Sequence, residues 1–369
     1  MIETTYLRPE DRAVLSLRTL YRQYGYLPFK MSKFEEYDLY VQNKDFLVSD
    51  RIITFNDMGG KLLALKPDVT LSIIKNTEDR AGCKQKVCYN ENVYRVSGST
   101  HHFKEIMQTG LECIGDVDTY DLYEVITLAA ASLACISESY VLDISHLGVL
   151  SAILDDLRPD ETLRREIARC VGEKNAHDLR RVCEEHRIGE EDTRLLCDFV
   201  GVYGTMDEVL ERLTPICRAH EAATIAVAEL TALRDHLRTT PYADHIRFDF
   251  SIMNDMNYYN GMVFRGFLDG ICEGVLSGGQ YNKLMRRMGH KAGAVGFALY
   301  LDLLESLPTE GEACDVDVLL LYDATTPSTE VAATVAAIRA DGQTVSAQRA
   351  IPDKLRFRET RDIRKEASV

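Results

Sequence analysis

The spacing of apolar positions divides the chain into segments of different kind. Near the start, Val14, Leu17, Leu20, Tyr21 and Tyr24 recur at helical spacing behind Pro9, Glu10 and Asp11, and Gly25 follows as a stop. This predicts an amphipathic helix. From Phe46 to about Gly115 the period shortens: Ile52–Phe55, Leu62–Leu65, Val87–Val96 and Ile106–Ile114 are β-rich runs separated by Gly, Asn, Asp and Ser. Antiparallel sheet is expected there. Asp118 or Thr119 then caps a helix with Leu122, Val125, Ile126, Leu133 and Ile136 on one face, and Val141–Ser145 reads as another strand.

Between His146 and about Ala243 the strand signal disappears and charged segments with leucines at helical spacing follow one another. A helical insertion at 146–243 is expected to interrupt the sheet domain. Strands are predicted to resume at Ile246–Ile252, Tyr258–Leu268 and Glu273–Leu276, with a final helix starting near Ala292. After the break at Pro308–Glu312, Asp315–Tyr322, Ser328–Ala340 and Val345–Gln348 predict a small β-α-β appendix. Arg349–Val369 mixes charges closely and reads as solvated helix or tail.

Composition narrows the function. The chain has 369 residues, with 43 basic against 58 acidic side chains and a formal charge of −15, so no overall positive field attracts a polyanion. The most apolar segment, Val125–Ile136, is too short to span a bilayer. A cytoplasmic protein is expected, without membrane contact. Ten cysteines include no C-x-x-C pair, so reduced, packed thiols are expected rather than a metal site, and no cofactor is implied.

Three passages suggest a ligand. Leu65-Lys66-Pro67-Asp68-Val69-Thr70 sets a carboxylate and a hydroxyl two residues apart, on one face if extended. Tyr94-Arg95 and, after a turn, Gln108 and Glu112 read as strand and return strand, the last two sharing a side by their even spacing. Tyr258-Tyr259-Asn260-Gly261 and Ser277-Gly278-Gly279-Gln280-Tyr281 place aromatics beside glycines. Each also has an ordinary reading. Asp68 can simply cap a helix from Thr70, Gln108 and Glu112 can be a solvent face, and Asn260-Gly261 can be a hairpin turn.

In this order the passages resemble histidyl-tRNA synthetase and its class II relatives, from about Leu7 to Leu307 apart from the helical insertion. Arg18–Tyr26 with Phe34–Glu36 is similar to the dimer-forming first class II motif, with Ser32 where proline is usual. Leu65–Thr70 resembles L-R-P-E-x-T, and Tyr94-Arg95 with Gln108-x-x-x-Glu112 resembles the second motif. Ile252–Asn260, Ser277–Leu284 and Ala294–Leu304 resemble the histidine-specific motif, G-G-R-Y-D-x-L and the third motif. The resemblance implies an α+β fold: a class II aminoacyl-tRNA synthetase-like antiparallel sheet flanked by helices. It implies a discontinuous domain at 1–145 and 244–307, and a truncated anticodon-binding-like appendix at 313–369. It also implies a histidine pocket of Asp68, Thr70, Arg95, Gln108, Glu112, Tyr258, Tyr259 and Tyr281.

Departures from the synthetase pattern fall on the ATP side. Asn254 and Leu303 stand where the family carries arginines, Ser97 replaces the second-motif acid, and the C-terminal region is short. A synthetase fold without ATP and anticodon functions resembles the regulatory subunits of ATP phosphoribosyltransferase. That resemblance implies no catalysis by this chain, no tRNA, dimers, a short-form catalytic partner and feedback inhibition by L-histidine in histidine biosynthesis. An active histidine–tRNA ligase and a scaffold without histidine binding are the alternatives.

Overall fold

The computed structural model describes residues 8–44, 47, 52–78, 80, 82–96, 102–218, 220–252, 258–307 and 314–364. It divides into one unit within Leu7–Leu307 and another that contains the residues from Pro308 onward. Ser97 and Asn254 lie outside the described residues.

The larger unit is built on a nine-stranded sheet. In spatial order its strands are Leu27–Pro28, Lys84–Val96, Phe103–Gly115, Gly293–Tyr300, Leu276–Gln280, Met262–Leu268, Tyr140–His146, Ile246–Asp249 and Tyr203–Thr205. Pairing is antiparallel except at two places, where Leu27–Pro28 joins Lys84–Val96 and Tyr140–His146 joins Ile246–Asp249. The α+β class expected from the sequence is what forms.

Helices Pro9–Gln23 and Thr119–Ala134 supply one side of the main core. The first buries Ala13, Leu17 and Tyr21 at helical spacing, starts with Pro at its first turn and ends before Gly25, whose φ of 81° suits a residue without Cβ. Asp118 and Asp121 form a reciprocal capping box at the start of the second, a contribution of about 1 kcal/mol. The Tyr21 hydroxyl lies 3.0 Å from Ser132 Oγ. Since Ser132 donates to the Leu128 carbonyl at 2.6 Å, Tyr21 is the donor in that buried contact.

Strand alternation sets the other side of the sheet. Leu111 and Cys113 belong to the core shared with these helices, so Glu112 between them points to the opposite face. Register brings it beside Val87 on one neighbour and Gly296 on the other. A smaller sheet, Phe34–Glu36, Leu62–Leu65 and Thr54–Asn56, leads into helix Thr70–Lys75.

Region 147–237 is helical, as the leucine spacing predicts, apart from the strand Tyr203–Thr205, which the spacing did not signal. Three other expectations need correction. The residues after Ala292 form strand Gly293–Tyr300 instead of a helix, because the run lies in the middle of the sheet, buried between two hydrogen-bonded neighbours; only a short 3-10 turn, Leu301–Ser306, follows. The strand expected at Glu273–Leu276 is displaced to Leu276–Gln280, where Gly278 and Gly279 fit because neighbouring backbone and rings leave no room for a Cβ. In the C-terminal unit, Phe357–Asp362 is no tail or helix but a strand parallel to Val316–Leu321, which also pairs with Val345–Gln348; helix Ser328–Ala340 completes it.

Candidate functional site

The strap Leu65–Asp68 crosses the long hairpin of Lys84–Val96 and Phe103–Gly115 and is stitched to it. Tyr94 N–H donates to the Lys66 carbonyl at 2.9 Å, and Arg95 Nε donates to the Pro67 carbonyl at 2.9 Å. Lys66 is completely buried, with Nζ 2.8 Å from Glu91 Oε2. Asp68 Oδ1 accepts from Leu71 N–H at 2.9 Å, capping the first turn of Thr70–Lys75. The capping reading of Asp68 is correct and does not exclude a second role, since the same side chain lines a pocket with Thr70.

All eight residues singled out from the sequence line that one pocket: Asp68, Thr70, Arg95, Gln108, Glu112, Tyr258, Tyr259 and Tyr281. Gln108 and Glu112 share its floor, as their even spacing predicts, and both are buried. Asn260-Gly261 is not a hairpin turn. Asn260 N–H donates to the Gln280 carbonyl at 2.8 Å, and the segment carries Tyr258 and Tyr259 to the pocket wall.

Glu112 is the most constrained member. Its Oε1 accepts from Thr70 Oγ1 at 2.8 Å and its Oε2 from the Tyr281 hydroxyl at 2.6 Å. Burial pushes its pKa up to about 8, the two hydroxyl donors pull it down, and the Asp68 charge raises it further. Burial also raises Asp68, against Leu71 N–H and the Arg95 charge. Tyr89, Tyr258 and Tyr281 are pushed well above the usual tyrosine range by burial, so they are neutral hydroxyls at physiological pH. Arg95 is the one cation among the described lining residues. Tyr258 stands edge-on to Tyr259, ring centres 4.7 Å apart, and 6.0 Å from the Tyr281 ring.

Glycines make the floor possible. A Cβ on Gly110 would lie 2.1 Å from the Phe297 carbonyl oxygen and 2.6 Å from the Tyr89 hydroxyl, and one on Gly296 would lie 1.7 Å from Glu112 Oε2. Tyr89, Ser277 and Tyr300 also line the pocket without having been singled out as ligand contacts. The signal for two of them was in the strand register, because Tyr89 pairs with Gly110 and Tyr300 with Gln108. No cluster of potential metal ligands occurs among the described residues, nor any helix long and apolar enough to cross a membrane.

The pocket therefore brings two carboxylates, one guanidinium, an amide and several phenols together, while Leu303 offers no charge and packs partly buried against the core. The histidyl-tRNA synthetase family model matches residues 7–304. An ATP phosphoribosyltransferase regulatory subunit of Caldanaerobacter subterraneus subsp. tengcongensis is 30% identical over 294 residues, 77% of this chain and 75% of that protein. The chain belongs to the family of ATP phosphoribosyltransferase regulatory subunits, a branch of the histidyl-tRNA synthetase fold. It is a non-catalytic subunit of that enzyme system. A Bacillus halodurans structure described as an ATP phosphoribosyltransferase regulatory subunit/histidyl-tRNA synthetase shares the fold with a TM-score of 0.79 and 23% identity, covering 97% of this chain and 94% of that one. A chain of the ATP phosphoribosyltransferase complex of Thermotoga maritima shares it with a TM-score of 0.60 and 19% identity, covering 83% of this chain and 99% of that one.

Proposed function

We propose that this regulatory subunit binds L-histidine in the pocket of Glu112 and, as a dimer joined to a short-form catalytic subunit, transmits feedback inhibition in histidine biosynthesis. The observation that carries the reading is the convergence of Asp68, Arg95 and Glu112 in one tyrosine-walled pocket. Asp68 suits the ligand ammonium, Arg95 and Gln108 suit its carboxylate, and Glu112 suits a ring N–H. The Arg95 Nε bond to Pro67 leaves the two terminal nitrogens for an anion.

A ligand shifts an assembly only by binding its active and inhibited forms with different affinity. The regulatory role therefore requires that histidine favour the inhibited arrangement of the complex. Dimerisation rests on the similarity of Arg18–Tyr26 to the first class II motif, and the charge of −15 speaks against tRNA as a partner. Isothermal titration of the purified chain with L-histidine tests the binding step: saturable one-site heat supports it, and no heat at millimolar ligand contradicts it.

A further inference from the structure

The charge balance of the pocket sets a condition on its ligand. Asp68 is faced by Arg95, so those two offset one another. Glu112 is buried, and among the described residues its two oxygens accept hydrogen bonds from the neutral hydroxyls of Thr70 and Tyr281. The other groups around it are the Asp68 carboxylate and the phenols of Tyr89, Tyr258, Tyr259 and Tyr300, none of which is a cation. Beside Gln108, Glu91 is already neutralised by Lys66. An amino acid brings an ammonium and a carboxylate whose charges sum to zero. With a neutral ring it would leave Glu112, if ionised, as a buried charge without a counterion, which is costly.

We propose that the site holds histidine together with one proton, as an imidazolium against an ionised Glu112, and that Glu112 is thereby the residue that selects for a basic ring. The inference rests on the histidine reading and adds the charge state in which the ligand is held. In the empty site at neutral pH the proton resides on the Glu112 carboxyl, with one of the two neighbouring hydroxyls turned to accept from it. On binding, the Glu112 O–H bond breaks and a ring N–H bond forms, so no proton need be exchanged with solvent. The raised pKa of about 8 fits this, because above that pH the empty site has lost the proton and must take one up to bind. Isosteres whose ring is a much weaker base cannot accept the proton; it stays on Glu112, and the charge-assisted contact with the ring is lost.

The test is calorimetry of the full chain with L-histidine in buffers of different ionisation enthalpy, at pH 7 and pH 9, for wild type and Glu112→Gln. Uptake by the ligand ammonium is common to both proteins and cancels in the difference. The expected result is nearly one more proton taken up by wild type at pH 9, with wild-type affinity falling about tenfold per pH unit above pH 8 relative to Glu112→Gln. A second measurement needs no variant: 1,2,4-triazole-3-alanine, whose ring is far less basic, should bind wild type about tenfold more weakly than histidine, because the proton stays on Glu112 and no ion pair forms. Histidine binding with uptake equal to that of Glu112→Gln, or binding of the triazole analogue as tight as that of histidine, would overturn this inference and leave the histidine reading standing. Absence of histidine binding by wild type would overturn both.

Discussion

Tyr281 donates its hydroxyl to Glu112 at 2.6 Å, and this contact fixes a carboxylate on the floor of the pocket. The arrangement depends on Gly296, whose hypothetical Cβ would fall 1.7 Å from the same carboxylate oxygen and 2.5 Å from the Leu111 carbonyl oxygen. Gly296→Ala is therefore expected to displace Glu112, to destabilise the fold by roughly 1–3 kcal/mol, and to abolish measurable histidine binding. Urea unfolding and calorimetry check both parts. A variant of unchanged stability that binds as wild type would contradict the packing account.

Lys66 and Glu91 form an ion pair in which the lysine is fully enclosed. Removing one partner leaves the other uncompensated, at a cost on the order of 3 kcal/mol. Lys66→Met should lower the urea midpoint strongly, and adding Glu91→Met should restore much of the loss. If the single and double variants were equally unstable, the damage would come from packing of the strap and not from the orphaned charge.

Much of this site is legible in the sequence through the resemblance of its passages, in order, to the synthetase motifs, and strand geometry accounts for part of it. Gln108 and Glu112 share a face through the period of two, and the Asp68 carboxylate is carried into the pocket by the same turn that lets it cap a helix. What local pattern cannot give is which runs become neighbours. Gly293–Tyr300 has the apolar content of a buried helix or a buried strand, and only its pairing with Phe103–Gly115 and Leu276–Gln280 decides. Tyr89 and Tyr300 became visible for the same reason, through register with Gly110 and Gln108. Phe357–Asp362 is exposed from Arg358 onward, charged there except at Thr360, and carries no strand alternation, so its place in the C-terminal sheet follows from parallel pairing alone.

Asp143 gives a pH prediction away from the pocket. Burial raises its pKa to about 6, with Asp249 adding to the effect and Lys174 and Arg247 opposing it. The folded value lies above the ordinary aspartate value of about 3.9, so the group favours folding at low pH and that contribution is lost as pH rises from about 4 to 6. Asp143→Asn should unfold at higher urea than wild type at pH 7.5, with the difference shrinking toward pH 4. No difference at pH 7.5 would contradict the assignment.

Adenylate formation requires fixed cations at the reacting phosphate and carboxylate, and loss of one such preorganised contact typically costs about 3–4 kcal/mol in the transition state. By the resemblance to the synthetase motifs, Leu303 and Asn254 stand where two such cations are expected. Histidine-dependent exchange of pyrophosphate into ATP should stay at the protein-free background. A rate above that background, proportional to protein concentration, would contradict the regulatory account.

The most direct test of the central claim is the histidine inhibition curve of the reconstituted complex with a short-form catalytic subunit, each variant compared with its own uninhibited rate. Asp68→Ala and Glu112→Ala each leave a polar group of the ligand unpaired, about 1–3 kcal/mol or more where charge is involved, which corresponds to roughly tenfold to over a hundredfold in affinity. The account predicts that both curves move to higher histidine by at least that tenfold. Curves that coincide with wild type would place the inhibitory site elsewhere and contradict it.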